Sequence, residues 1–386
     1  MKVNPNWNYR PYRPLNHMDA AVKPYICRLS PFKTGAEVQL FDNGRPEATH
    51  IVKVRPRGTL EPWRCLQTDS EQCIIEGLIP WMDYEIIAER ADDPTQCSEL
   101  RLFRTGDYPG RVVSYLHPED PIYSFSGSTL CNPCIVKMPS GTLVTCADIF
   151  ESQMPQNLEI IYRSHDYGKT WEYVTELFPC MWGTIFLHRG VLYMLATSTE
   201  NGDILIGASH DEGSTWIRPV MLFPGSGMWK RAGWQRQPMS ILEYQGKLMT
   251  SIEYGCWSEP DLFGIHTLWA NADADLLDPM SWNMSAGTHY DKSWPNSPKG
   301  GNPALLEGNL YVDRRGKVIN LLRMQINNSS PAYGYACYLE LDMDDLDAAP
   351  KFNSIREMPT GANTKTYVQY DAISDKYSRL MSVMAR

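Results

Sequence analysis

An eight-residue frame, S-H-D-x-G-x-T-W, occurs twice in this chain, as "SHDYGKTW" at 164–171 and "SHDEGSTW" at 209–216. The two starts lie 45 residues apart. A short carboxylate in a turn accepts N–H groups from the residues that follow it, which assigns that job to Asp166 and Asp211. Gly168 and Gly213 supply a backbone conformation with positive φ. Trp171 and Trp216 close each turn with a ring large enough to bury between sheets. One Asp per turn offers too few oxygens for a calcium loop. Two identical copies do not make one catalytic centre, which needs different roles at one point. The frames therefore predict hairpin architecture, and their spacing measures a repeat.

The sequence around them fits that repeat. Apolar runs separated by Gly-containing turns recur from Tyr108 onward, as in "CIVKMPSGTLVTCADIF" and "PMSILEYQGKLMTSIEYG", with no long helical periodicity. Strand repeats of about 40–50 residues predict a β-propeller with one four-stranded blade per repeat. Blades are expected at 131–177, 183–222, 236–284 and 304–355, with a fifth beginning at "TKTYVQYDAISDKYSRL". In the third, "ADADLLDPMSW" replaces the frame, and Asp275, Asp278, Ser281 and Trp282 predict a longer turn with the same Trp closure. About four and a half blades are encoded, which implies a truncated ring, one closed by 110–116, or one completed by another chain. The stop soon after a strand favours the first.

The frame S-x-D-x-G-x-T-W resembles the Asp-box, or BNR repeat, of the sialidase superfamily, over roughly residues 110–386. The resemblance implies a sialidase-like propeller glycosidase with a general-acid Asp, a Tyr–Glu nucleophile pair and three Arg around a pocket. The first of those Arg belongs in an R-I-P segment on the first strand of the first blade. Here that segment reads "LCNPCIVKMPSG", and no Arg occurs between Arg111 and Arg163. The implied substrate is then a terminal sugar of a glycan other than unmodified sialic acid.

Ahead of the propeller, residues 20–107 alternate like a small β-domain, after an extension at 1–19. In "EGLIPWMDYEI" the residues Gly77, Leu78, Pro80 and Tyr84 fit a corner whose Tyr hydroxyl returns to upstream backbone. This segment resembles a fibronectin type III module. The expected fold is all-β: a fibronectin-III-like β-sandwich at 20–107 followed by a sialidase-like propeller at 108–386.

Candidate chemistry sits near the ends of the predicted strands. Glycoside hydrolysis needs two carboxyl groups, one protonated and one charged. Glu307 lies within an apolar run, where a bare carboxylate is costly without a partner or polar cavity, and Arg323 one strand later can be that partner. Glu253 follows the same logic, and Asp148 is a third carboxylate at a strand end. Glu253, Glu307 and Asp148 are the catalytic candidates. Arg323, Arg236, Asn309, Tyr370 and Trp234 are the substrate-binding candidates, with Trp182, Trp229 and Trp257 as further rings able to stack on sugars. Structural readings compete for each: a Glu–Arg pair, a core Tyr, propeller packing.

The formal net charge of −9 disfavours nucleic acid and anionic membrane as partners and leaves a glycan as the expected one. The ten Cys show no framework, and "CNPC" has no second ligand pair, so neither metal nor cofactor is expected. No apolar leader or span of about 18 residues is seen, which predicts a cytoplasmic chain. Competing functions are a non-catalytic carbohydrate-binding propeller, a polysaccharide lyase acting on uronates, and a purely structural interaction protein.

Overall fold

The computed structural model describes Trp7 and residues 23–42, 44–152, 154–228, 230–259, 263–299, 303–326, 333–361 and 365–381. The expected 1–19 extension therefore lies outside the described residues apart from Trp7, as does Trp229. Among the described residues there is no α-helix, only two 3₁₀ turns at Pro121–Tyr123 and Pro279–Ser281, and no helix long and apolar enough to cross a membrane.

The first seven strands are β1 (Tyr25–Phe32), β2 (Gly35–Phe41), β3 (His50–Pro56), β4 (Arg64–Thr68), β5 (Gln72–Ile75), β6 (Asp83–Arg90) and β7 (Arg101–Arg104). They form two antiparallel sheets, β1-β2-β5 and β4-β3-β6-β7. Period-two alternation puts Leu29, Val38, Val52, Ile86 and Phe103 into one core. Tyr84 makes the expected corner. Its hydroxyl accepts the Ile79 N–H at 2.8 Å, its ring stacks on Phe103 at 5.5 Å, and Gly77 takes φ +73°.

Propeller blades follow, all antiparallel, and the first, second and fourth are sequential meanders. The first comprises β8 (Thr129–Lys137), β9 (Leu143–Phe150), β10 (Glu159–Ser164) and β11 (Glu172–Leu177). The second comprises β12 (Met181–His188), β13 (Val191–Thr197), β14 (Ile204–Ser209) and β15 (Val220–Phe223). In the third, β16 (Gly233–Gln235) and β17 (Leu242–Tyr244) both pair with β18 (Lys247–Gly255). There β19 (Gly264–Asn271), β20 (Trp282–Met284) and β21 (Thr288–His289) complete the sheet. The fourth is β22 (Ala304–Val312), β23 (Val318–Gln325), β24 (Tyr333–Glu340) and β25 (Lys351–Gly361). A two-stranded hairpin, β26 (Thr366–Asp371) and β27 (Lys376–Met381), comes last. The sheets occupy the segments marked out by the 45-residue ruler.

The two frames repeat bond for bond. Asp166 accepts the Thr170 N–H at 2.8 Å and the Thr170 hydroxyl at 2.7 Å. The same pair of bonds joins Asp211 to Thr215 at 2.8 and 2.6 Å. Each Trp donates its indole N–H to the Gly carbonyl, Trp171 to Gly168 at 3.1 Å and Trp216 to Gly213 at 3.0 Å. The bonds from Thr170 pull the Asp166 carboxyl down to about 2. The residue before each Gly is also left-handed, Tyr167 at φ +60° and Glu212 at φ +56°, giving two positive-φ residues in succession. In the third blade, Asp278 caps the 3₁₀ turn and Trp282 donates to the Leu276 carbonyl at 2.9 Å, so the Trp closure survives in the longer turn.

The chain divides into two compact units. One runs to Met181 and adds 187–192 and 209–218; the other holds 182–186, 193–208 and 219–386. The expected boundary at 107/108 is thus not a break in compactness, because the sandwich packs on the first blade. Gln39 donates to the Tyr173 carbonyl at 3.2 Å and accepts the Tyr173 N–H at 2.6 Å, while the hydroxyls of Tyr25 and Tyr123 meet at 2.9 Å. Arg101, on β7, is neutralised by Asp120 at 2.7 Å, both buried.

Candidate active site

The carboxylates that the sequence singles out in the second unit sit on β18 and β22. Along β18 the register pairs Glu253 with Gln235 of β16 and Ile265 of β19. Its side chain is 1% exposed. In β22 the ladder to β23 skips between Leu306, opposite Arg323, and Asn309, opposite Leu321. Glu307 and Gly308 are therefore the two bulged residues facing one partner. Glu307 takes φ +58°, which costs a residue with a Cβ roughly 1 kcal/mol, and this position in such a bulge usually belongs to glycine. A strained non-glycine residue here marks a side chain whose aim matters.

Gly308 is required for another reason. A Cβ there would lie 2.2 Å from Ser251 Oγ and 2.3 Å from Asn320 Oδ1. Bare of side chain, it brings its N–H to Glu253 Oε1 at 3.2 Å. The bulge thus places the backbone of Glu307–Gly308 against the Glu253 carboxyl, while the Glu307 side chain is directed to Arg323. There the Arg323 guanidinium holds it, with Nη2 donating to Oε1 at 2.9 Å and Nε in ion contact with Oε2 at 2.7 Å. The Lys365 ammonium stands 3.7 Å from Oε1.

These two carboxyl groups have opposed environments. Burial pushes Glu253 up to about 8, and the Glu307 charge adds to the rise. The N–H groups of Gly308 and Glu307 and the charge of Arg236 oppose it without cancelling it. Glu253 therefore holds its proton at neutral pH, beside a Glu307 that is salt-bridged to a guanidinium. Of the two neighbouring carboxyls, one is thus desolvated and the other is paired with a guanidinium.

The structure thus brings together Glu253, Glu307 and Arg323. The other candidates lie elsewhere. Arg236, in the break between β16 and β17, is 1% exposed. Its Nη1 donates to the carbonyls of Trp182 and Leu195 at 2.6 and 2.9 Å and to Thr184 Oγ1 at 2.8 Å. Its charge opposes the rise of the Glu253 carboxyl. Asn309 is wholly buried, and its Oδ1 accepts the Val368 N–H at 2.6 Å, so it ties the last hairpin to β22 instead of meeting substrate. Trp234 packs edge-on to Tyr254 and His266 and donates to the Pro224 carbonyl at 3.1 Å. Tyr370 lies on β26 and bonds Asp375 at 2.9 Å. Asp148 belongs to the first blade, in the other compact unit. It is fully buried and accepts two bonds at 2.9 Å from Asn132 Nδ2.

That last pair repeats the geometry of the fourth blade. Asn132, at φ +50°, sits in the bulge of β8 between Cys131 and Cys134, and Cys131 faces Asp148. Glu307 stands to Arg323 as Asn132 stands to Asp148. In both blades a left-handed residue on the first strand bonds the second-strand residue opposite its predecessor.

Sequence reasoning missed Gly308, Lys365 and the Trp257–Glu200 pair. The Trp257 indole N–H donates to Glu200 Oε1 at 2.5 Å, and its ring packs with Phe263, Ala304 and Leu306, the residue before Glu307. The signal for the bulge was present as Gly directly after a Glu in an apolar run. Lys365 carried none, since its approach is tertiary. Among the described residues no group of three or more His, Cys, Asp or Glu is arranged to hold a metal.

The fold and site define a β-propeller protein with a paired-carboxyl centre. No family model matches the chain, and no curated protein does. Among solved structures it is similar to an α-L-arabinanase from Penicillium chrysogenum complexed with arabinobiose. That match has 14% identity, 65% of this chain and 74% of that one covered, and TM-score 0.45. It is also similar to an α-L-arabinofuranosidase from Lactobacillus brevis, with 14% identity, coverage of 70% and 90%, and TM-score 0.45. The NanB sialidase of Streptococcus pneumoniae matches at 9% identity, coverage of 93% and 80%, and TM-score 0.45.

Proposed function

We propose that this chain is a glycoside hydrolase acting on a terminal sugar of a glycan, with Glu253 as proton donor and Glu307 as the charged carboxylate. The observation that carries the proposal is the division of labour between the two carboxyls. Glu253 keeps its proton to about 8 because it is buried, and Glu307 is paired with Arg323. Cleaving a glycosidic bond needs a proton delivered to the leaving oxygen and a carboxylate that acts on the anomeric centre, directly or through water. Arg323 orients Glu307, and Gly308 orients Glu253. The seven-stranded sandwich is part of the same proposal, as a fibronectin-III-like module packed on the first blade.

A second reading, a carbohydrate-binding propeller without turnover, draws on the near-complete burial of Glu253. One experiment separates the two. The full chain and its Glu253→Gln and Glu307→Gln variants are assayed on aryl glycosides spanning pentofuranosides, hexopyranosides, uronides and sialosides, with glycan binding followed in parallel. Hydrolysis by the wild type that falls at least ~100-fold in both variants supports the hydrolase. Binding in all three proteins with turnover in none supports the second reading. Turnover unchanged by either substitution overturns the assignment of both residues.

A further inference from the structure

The last hairpin borders an open cavity that the carboxylate pair does not line. Its volume is about 740 Å³, within the roughly 300–1,000 Å³ range of small-ligand pockets. It lies at the other end of the same strands. Its lining takes in 240–244, at and before β17, and 310–314, from the end of β22 and the turn after it. Leu310, the lining residue on β22 nearest the pair, is three residues from Glu307, so about 10 Å of strand lies between them at about 3.3 Å per residue. The hairpin is held over it by side-chain bonds. Asn309 accepts the Val368 N–H, the Tyr377 hydroxyl donates to the Val312 carbonyl at 2.5 Å, and Ser240 bonds the Tyr367 hydroxyl.

The lining is aromatic on one side and polar on the other. Tyr311, Tyr370 and Tyr377 make a run of rings, with centroids 5.8 Å apart for Tyr311–Tyr377 and 5.1 Å for Tyr370–Tyr377. Tyr370 is 46% exposed, so its ring offers free surface. Of the four charged lining residues, Asp313, Arg314 and Asp375 are compensated in place, and the fourth, Glu243, is exposed. Asp375 accepts from Arg314 at 3.2 Å and from the Tyr370 hydroxyl, and Asp313 accepts the N–H groups of Arg315 and Lys317. An amine gains little from carboxylates already engaged. Gln369 also lines the cavity, and its exposed carboxamide adds a donor and an acceptor. Ring faces for C–H groups, with paired donors and acceptors along the rim, suit a ligand that is apolar on its faces and hydroxylated at its edges.

We infer that this cavity is a second saccharide-binding site, separate from the Glu253–Glu307 centre, with the exposed Tyr370 ring as its platform. It holds whether or not Glu253 and Glu307 hydrolyse anything.

The test uses the full chain as wild type, Glu307→Gln, Tyr370→Ala and Tyr370→Phe. Saturation-transfer NMR is run with arabinotriose, galactotriose and N-acetyllactosamine as separate probes, and with tetramethylammonium as the cationic probe. Glu307→Gln is expected to keep binding of at least one saccharide. Tyr370→Ala in that background is expected to weaken it at least ~5-fold. Tyr370→Phe keeps the ring and its packing on Tyr377, so binding within ~2-fold of wild type is expected and guards against a folding artefact. Three results overturn the inference: no saccharide bound by Glu307→Gln, equal binding by Tyr370→Ala, or binding of tetramethylammonium in preference to every saccharide. Loss of hydrolysis without loss of binding in Glu307→Gln leaves this site standing, so its failure and that of the hydrolase are told apart.

Discussion

Changing Glu253 to Gln tests whether the buried carboxyl holds a proton in the folded chain. Burial raises it from 4.5 to about 8 there, with Glu307 adding to the rise. In the unfolded chain the group returns to its ordinary value. Between the two values the folded state holds one proton more than the unfolded state, so stability falls as pH rises. The contribution is complete below the unfolded value and lost as pH passes the folded one. At about 1.4 kcal/mol per pH unit the window corresponds to a loss on the order of 5 kcal/mol, about 4 kcal/mol of it between about pH 5 and about pH 9. Gln has nearly the same shape, cannot ionise, and still offers an oxygen to the Gly308 N–H. Urea unfolding of both proteins from about pH 5 to about pH 9 isolates this group, because titrations common to both cancel in the difference. The stability difference should swing toward the Gln variant by that amount as pH rises. A difference that stays flat across the range refutes the assignment of the proton. If Glu253 is also the donor in hydrolysis, kcat/KM falls as pH rises through about 8.

Gly308→Ala forces a Cβ against Ser251 Oγ and Asn320 Oδ1, so a loss of about 1–3 kcal/mol in urea unfolding is expected, with lowered turnover as the N–H leaves Glu253. Trp216→Ala removes a ring with 0% exposure, and a loss of ~3–5 kcal/mol measured by thermal or chemical unfolding follows. Asp120→Ala leaves the buried Arg101 guanidinium without its carboxylate, at a cost of ~3–5 kcal/mol, read as a lowered urea midpoint.

Much of the fold was legible in the sequence because its signals are local. A turn of one Asp, one Gly and one Trp completes its bonds within eight residues, so the frames at 164–171 and 209–216 needed no distant partner to be read. The alternating strands between them follow from a period of two, and the Tyr84 corner closes over five residues. Glu253, Glu307 and Arg323 were also visible, as charges in apolar runs that had to be compensated by something. Their arrangement was not visible. Nothing local says that Glu307 is left-handed, that Gly308 leans on Ser251 and Asn320, or that the bulge backbone meets Glu253.

Residues of the same type parted company for tertiary reasons. Arg323 faces a carboxylate, whereas Arg236 is turned to backbone carbonyls that only the folded second blade assembles. Tyr370 looked like a site residue because it ends a strand, yet the hairpin carries it to the other end of β22. The sequence by itself determined the strands, their turns and the blade repeat, since hydrogen bonds between near neighbours and the alternation of side chains settle those. Only the tertiary structure decided which buried carboxyl keeps a proton and which is paired with a guanidinium. Desolvation and charge pairing depend on residues that two successive blades bring together.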